Sequence, residues 1–315
     1  MGYKRTILTV VVMTLTTFAW ALKKVTFAPQ WTAQAQFAGY FVAKDKGFYE
    51  EEGLDVNIVY PSYSQSSIKL LKEGRCQFTS LQLLDALCAK ENGGINLINI
   101  LQTNQQSGLV LVGYDGRSPA DLKQGAKVGI WNAGFSILAK IMNQREKKNY
   151  QFIRFTNNVS LFMSGAIDAT LAMSYNELLQ LRQSNVRLDE KTVFWFSKNG
   201  YDIPEDGLYT TRNYYSNNRQ VCKSFAKASK RGWEWCRQHP DEALEIVMKY
   251  VKDNNILTNK VIQRLMLQEV MRLHTDPATG KTLYTLDKAK FEKVVGWLLE
   301  CDIIKNKIEY KDITE

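Results

Sequence analysis

From Lys24 onward the chain alternates short strand patterns with helical ones, and this alternation restricts the fold more than any single motif. "KVTFA" (24–28), "LDVNIVY" (54–60), "CQFTS" (76–80), "INLINILQ" (95–102) and "GLVLVGY" (108–114) are strand-length runs rich in apolar and β-branched residues. Between them, 36–46, "SQSSIKLLKEG" (64–74) and 81–92 place apolar residues at helical spacing. A second run follows the same rule. "AKVGIW" (126–131), "YQFIRF" (150–155), "DATLAM" (168–173) and "TVFWFS" (192–197) read as strands, with helices over 135–145, 159–164 and 175–183. "DGLYTT" (206–211) reads as one more strand, leading back to the first run. Beyond Asn218 the pattern is mostly helical, with a break at Pro240.

Such alternation predicts an α/β protein, and 315 residues suit two lobes. The expected division is 22–112 plus 212–315 for one lobe and 113–211 for the other. Two crossings, near Val112–Gly116 and Asp206–Arg212, would join them. Loops at strand ends converge between two such lobes, so the cleft is the expected ligand site.

Residues 1–21 read as an export signal. Lys4 and Arg5 are followed by an apolar run from Ile7 to Ala19, and Ala19-Trp20-Ala21 is a small-x-small cleavage site. The expected mature chain starts at Leu22 in the periplasm. Without Lys4 and Arg5 the net charge falls from +9 to +7. The excess is dispersed; its densest patch, "REKKN" (145–149), contains Glu146, and no nucleic-acid motif accompanies it. Five cysteines leave at least one thiol unpaired. Cys222 and Cys236 fall about four turns apart on one helix and cannot bridge each other. The cysteines read as small buried hydrophobes. His239 and His274 are the only histidines, and no metal-binding spacing or cofactor motif is present. "TGKT" (279–282) lacks the upstream glycine of a phosphate loop.

"QWTAQAQFAGYFVAKDKGFYEEEGLDV" (30–56), "LLKEGRCQF", "LKQGAKVGIW", "NNVSLFMSGAIDATLAMSYNE", "YDIPEDGLYTT" and "RGWEWCRQHPDEALEIVMKYV" follow one another in order. Together they resemble the periplasmic solute-binding proteins for sulfonates and thiamine-pyrimidine precursors. The resemblance implies a type II periplasmic-binding-protein fold, two α/β lobes closing on a small molecule. It also implies a monomer that delivers its ligand to the membrane subunits of an ABC importer. An enzymatic branch, the thiamine pyrimidine synthases, resembles the chain as well. That branch uses a Lys for pyridoxal phosphate and a His four residues later, at positions that are Leu81 and Asp85 here. Its Cys-rich iron motif would fall on "NGYDIPE", which has no Cys. The chain is therefore expected not to be an enzyme. The alternatives are that synthase activity and a periplasmic ligand sensor.

Seven residues are expected to line the cleft. Trp31 follows the first strand and suits stacking on a flat ring. Asn132 and Ser136 lie where a strand gives way to a helix, whose free N–H groups favour a carbonyl or anionic group; Asn132 equally suits a cap. Asn158 and Ser160 occupy the analogous next turn, with the same alternative. Tyr175 and Glu177 follow the "DATLAM" strand. The resemblance implies an aromatic wall and a carboxylate that accepts from an aminopyrimidine amine there. Glu177 also suits a plain first-turn carboxylate. Tyr40 and Phe41 read as core. "IPEDGLY" (203–209) reads as a hinge, with Glu205 and Asp206 solvated.

Overall fold

The computed structural model describes residues 21–62, 64–131, 134–155 and 160–315. The expected export signal, apart from Ala21, lies outside the described residues, as do Asn132 and Asn158.

Ten strands form two sheets with one plan. They are β1 (Lys23–Ala28), β2 (Leu54–Ile58), β3 (Phe78–Gln82), β4 (Leu97–Gln102), β5 (Leu109–Gly113), β6 (Lys127–Trp131), β7 (Gln151–Phe155), β8 (Ala169–Met173), β9 (Val193–Trp195) and β10 (Asp206–Thr211). The first sheet runs β2-β1-β3-β10-β4 and the second β7-β6-β8-β5-β9. In each, four strands run in one direction and the strand in the fourth place, which comes from the other run of the chain, runs antiparallel to both its neighbours. "DGLYTT" is a strand, as read, and it pairs in the first sheet. β5 and β8 are buried along their whole length, which explains their uninterrupted apolar runs.

The crossings differ from those expected. The chain changes sheets between β4 and β5, over 103–108, and between β9 and β10, over 196–205. Residues 109–112 therefore pair in the second sheet and 206–211 in the first, each across the boundary drawn from the sequence. The physical reason is strand exchange. Both segments were legible as strands, but a strand pattern does not say which sheet accepts it.

Helix Arg219–Gln238 anchors the first lobe. Its buried residues, Cys222, Phe225, Ala228, Ser229, Gly232, Trp233 and Cys236, make one helical stripe. That stripe packs on helix Ala38–Asp45 at a glycine–glycine approach. A Cβ at Gly232 would overlap the Gly39 carbonyl oxygen, and one at Gly39 would overlap the Trp233 ring. Phe225 stacks on Phe78 at 4.0 Å and on Tyr49 at 4.8 Å between ring centroids. Tyr40 and Phe41 are buried in this core, as expected. All five cysteines are free thiols and all but Cys88 are buried. His274 is a core residue too, edge-on to Trp233 at 4.4 Å; burial pushes its imidazole down to about 3 and keeps it neutral.

Candidate functional site in the cleft between the lobes

The two crossings are fastened to each other. Glu205 accepts from Ser107 Oγ at 2.6 Å and from the Gly108 N–H at 3.1 Å. Asp202 accepts from the Ser107 N–H and from Lys290 Nζ, which also donates to the Gln105 carbonyl. Helix Lys288–Glu300, which carries Lys290, runs alongside and pairs Glu300 with Arg145 of the second lobe.

Directly beyond Glu205, Asp206 opens β10 opposite Gln82, where β3 ends. Its carboxylate accepts from Gln30 Nε2 at 2.9 Å and from Gln36 Nε2 at 2.6 Å. Gln36 Nε2 also donates to the Tyr175 hydroxyl at 3.1 Å. Gln30 follows β1, Gln36 precedes helix Ala38–Asp45, and Tyr175 follows β8 of the other sheet. The network thus joins the carboxyl ends of strands from both lobes, the place where open α/β sheets bind ligands.

The cluster is acidic, with Glu177, Glu205 and Asp206 buried and Asp85 partly exposed. Burial raises the carboxyls of Asp206 and Asp85 to about 6, Glu177 to about 7 and Glu205 to about 8. Among the described residues none of the four forms an ion pair. Buried acceptors without a cation favour a ligand that donates hydrogen bonds and carries neutral or positive charge.

The described predicted residues fall into four groups. Tyr175 is buried in the network. Trp31 is partly buried, just beyond Gln30, against the first-lobe core. Ser136 and Glu177 are buried but turned to local partners. Ser136 Oγ donates to the Trp131 carbonyl at 2.7 Å. Glu177 accepts from the Met173 N–H at 2.7 Å and from Asn176 Nδ2 at 2.9 Å, which fastens the turn between β8 and helix Glu177–Gln183. Ser160 is exposed at the start of helix Ser160–Met163.

Sequence reasoning missed Gln30, Gln36, Gln82 and Asp206. The expectation that Glu205 and Asp206 are solvated is overturned, since they are 2% and 5% exposed. A signal was present for Gln30, Gln82 and Asp206, polar side chains at or just beyond a strand end, where cleft residues belong, whereas Gln36 precedes a helix and carried no such mark. For Asp206 it was hidden by the Pro-Glu-Asp-Gly composition, which reads as a turn.

Two sheets of this topology, with the chain crossing twice between them, define a type II periplasmic-binding-protein fold. The chain belongs to the NMT1/THI5-like family, whose model matches residues 34–243. It is 25% identical over 308 residues to the formylaminopyrimidine-binding protein of Halalkalibacterium halodurans, covering 93% of this chain and 89% of that one. It is 23% identical over 238 residues to the 4-amino-5-hydroxymethyl-2-methylpyrimidine phosphate synthase of Candida albicans, covering 70% and 69%. Among solved structures it resembles the alkanesulfonate-binding protein SsuA of Xanthomonas axonopodis pv. citri bound to MOPS, with a TM-score of 0.68 at 12% identity, covering 94% and 99%.

Proposed function

We propose that this protein is the exported, periplasmic solute-binding component of an ABC importer, and that its cleft takes a small amine-bearing heterocycle, a thiamine pyrimidine precursor. The observation that carries this reading is Asp206: a desolvated carboxylate, framed by two amides, with no cation of its own. An aminopyrimidine presents an N–H2 beside a ring nitrogen. Asp206 matches both, accepting from the amine and exchanging a proton with the ring nitrogen near its own pKa. Tyr175 and Trp31 supply the flat walls. A sulfonate would bring a fixed negative charge among four buried carboxyls, the opposite of what the site favours. Leu81 and Asp85 offer neither the amine for a Schiff base nor an imidazole, which favours binding over synthase chemistry. The protein acts as a monomer, and the importer's membrane subunits read the closed form.

Thermal unfolding of the protein without residues 1–21, against aminopyrimidines, alkanesulfonates, riboflavin and pyridoxal phosphate, tests this. A ligand at a hundredfold excess over its Kd adds about 2.7 kcal/mol. A midpoint shift with aminopyrimidines alone is the expected result. A shift with a sulfonate, or a pyridoxal chromophore on the purified protein, overturns the ligand or the non-enzymatic reading respectively.

A further inference from the structure

Two helices begin on opposite sides of the cleft and their first turns meet. Helix Leu83–Glu91 belongs to the first lobe and helix Phe135–Arg145 to the second. Neither is capped by the side chain of its own N-cap residue, Gln82 or Gly134. The Leu83 N–H donates to the Glu205 carbonyl at 2.9 Å, and each start presents the positive end of a helix dipole. Closing the lobes therefore brings two positive ends together.

One carboxylate sits between them. Asp85 lies in the first turn of its own helix and accepts from the Gly134 N–H of the other. The approach is so close that a Cβ at Gly134 would overlap the Asp85 carboxyl group. Leu83 and Leu84 face Phe135 and Leu138 across a gap too small for a water molecule, beside Asp85, which keeps partial exposure to solvent. Gln82 lines the same gap, is 2% exposed, and its Nε2 has no hydrogen-bond acceptor.

We propose that Asp85 is a built-in counter-anion for closure: it fills the oxyanion seat between the two helix starts, holds the lobes shut, and thereby excludes ligands that bring an oxyanion of their own. This role rests on the cleft being the ligand site, and not on the ligand being a pyrimidine. It also makes Asp85 a specificity-determining residue. With the seat filled from within, a ligand gains nothing from a sulfonate or phosphate group there. With the seat vacated, the Gly134 N–H and the two helix dipoles become an oxyanion site. Burial pushes the Asp85 carboxyl up and the neighbouring Asp206 adds to that, while the Gly134 N–H opposes both. The Cys88 thiol and Tyr209 hydroxyl are the other titratable groups coupled to it.

The test compares the purified wild-type protein with Asp85→Asn and Asp85→Ala, using sodium sulfate and ethanesulfonate as probes. Small-angle scattering reads closure and titration reads affinity. Circular dichroism shows whether each variant is folded, and the near-isosteric Asn variant guards against collapse of the Ala variant. The expected result is that both variants open in chloride buffer and close again on adding sulfate, with sulfate affinity about tenfold or more above wild type. Gly134→Ala should also hold the wild-type background open, and Gly134→Ala combined with Asp85→Ala should regain sulfate-driven closure. That rescue is not expected of a residue whose role is only to support the fold. Folded variants that stay closed in chloride, or that bind sulfate no better than wild type, overturn the proposal. An aminopyrimidine titration of the wild type runs alongside. Failure there with sulfate gain in the variants rejects the ligand reading alone, and the reverse pattern rejects the Asp85 role alone.

Discussion

Asp206→Asn is expected to stabilise the protein at neutral pH while weakening binding. Burial raises the carboxyl from 3.8 to about 6. A gap of about two units corresponds to about 3 kcal/mol. Because the folded value is the higher one, the stability linked to this group is fully present below pH 3.8 and is lost as pH rises through about 6. The amide removes the charge and keeps the shape. Gln30 Oε1 has no partner, so a half-turn of the Gln30 amide lets it accept from the new N–H2. Gln36 Nε2 retains an oxygen to donate to. Set against about 1 kcal/mol for weaker, uncharged hydrogen bonds, the variant should gain about 2 kcal/mol at neutral pH and nothing in acid. Urea unfolding of both proteins at about pH 4 and about pH 7.5, with a common slope, measures this. Aminopyrimidine affinity should fall about tenfold or more, since a charge-assisted bond is lost. Equal destabilisation of the variant at both pH values would refute the reasoning, because the carboxylate would then be a net stabiliser in its folded setting.

Two further outcomes follow from the same geometry. Gly232→Ala should destabilise by about 1–3 kcal/mol, read by chemical denaturation, because the added Cβ meets the Gly39 backbone, which cannot swing aside as a side chain can. Glu177→Ala should cost about 1–2 kcal/mol of stability by stranding the buried Met173 N–H, with aminopyrimidine affinity changed less than by Asp206→Asn.

The layered architecture was legible because strand and helix periods differ and both lobes repeat the alternation. The helix break at Pro240 was legible for the same local reason: proline fixes its own φ and starts the next helix, Pro240–Asp253. Sheet membership was not legible. β5 and β10 pair with strands far away in sequence, and nothing in "GLVLVGY" or "DGLYTT" encodes that partner. In the site, Trp31 and Tyr175 stood out because large aromatics just beyond strands have few uses. Glu177 drew attention as a carboxylate in the right place, yet two nearby N–H donors hold it in its turn. Asp85 was noticed only as a position lacking an imidazole. Its role depends on a helix start 49 residues further on, at Gly134, which no local pattern reveals.

Glu205 and Asp206 are consecutive residues with unlike duties. One fastens the two crossings; the other faces the cleft. No spacer separates them, so under the proposed function the group a ligand would touch and the group that ties the crossings are joined through one peptide unit. A ligand that pulls on Asp206 by a fraction of an ångström applies torque at the axis itself, with no lever arm over which the motion could be absorbed. Under the proposed function, fit at this one carboxylate would be translated into the angle between the lobes, and a poorly fitting solute would leave the rotation incomplete.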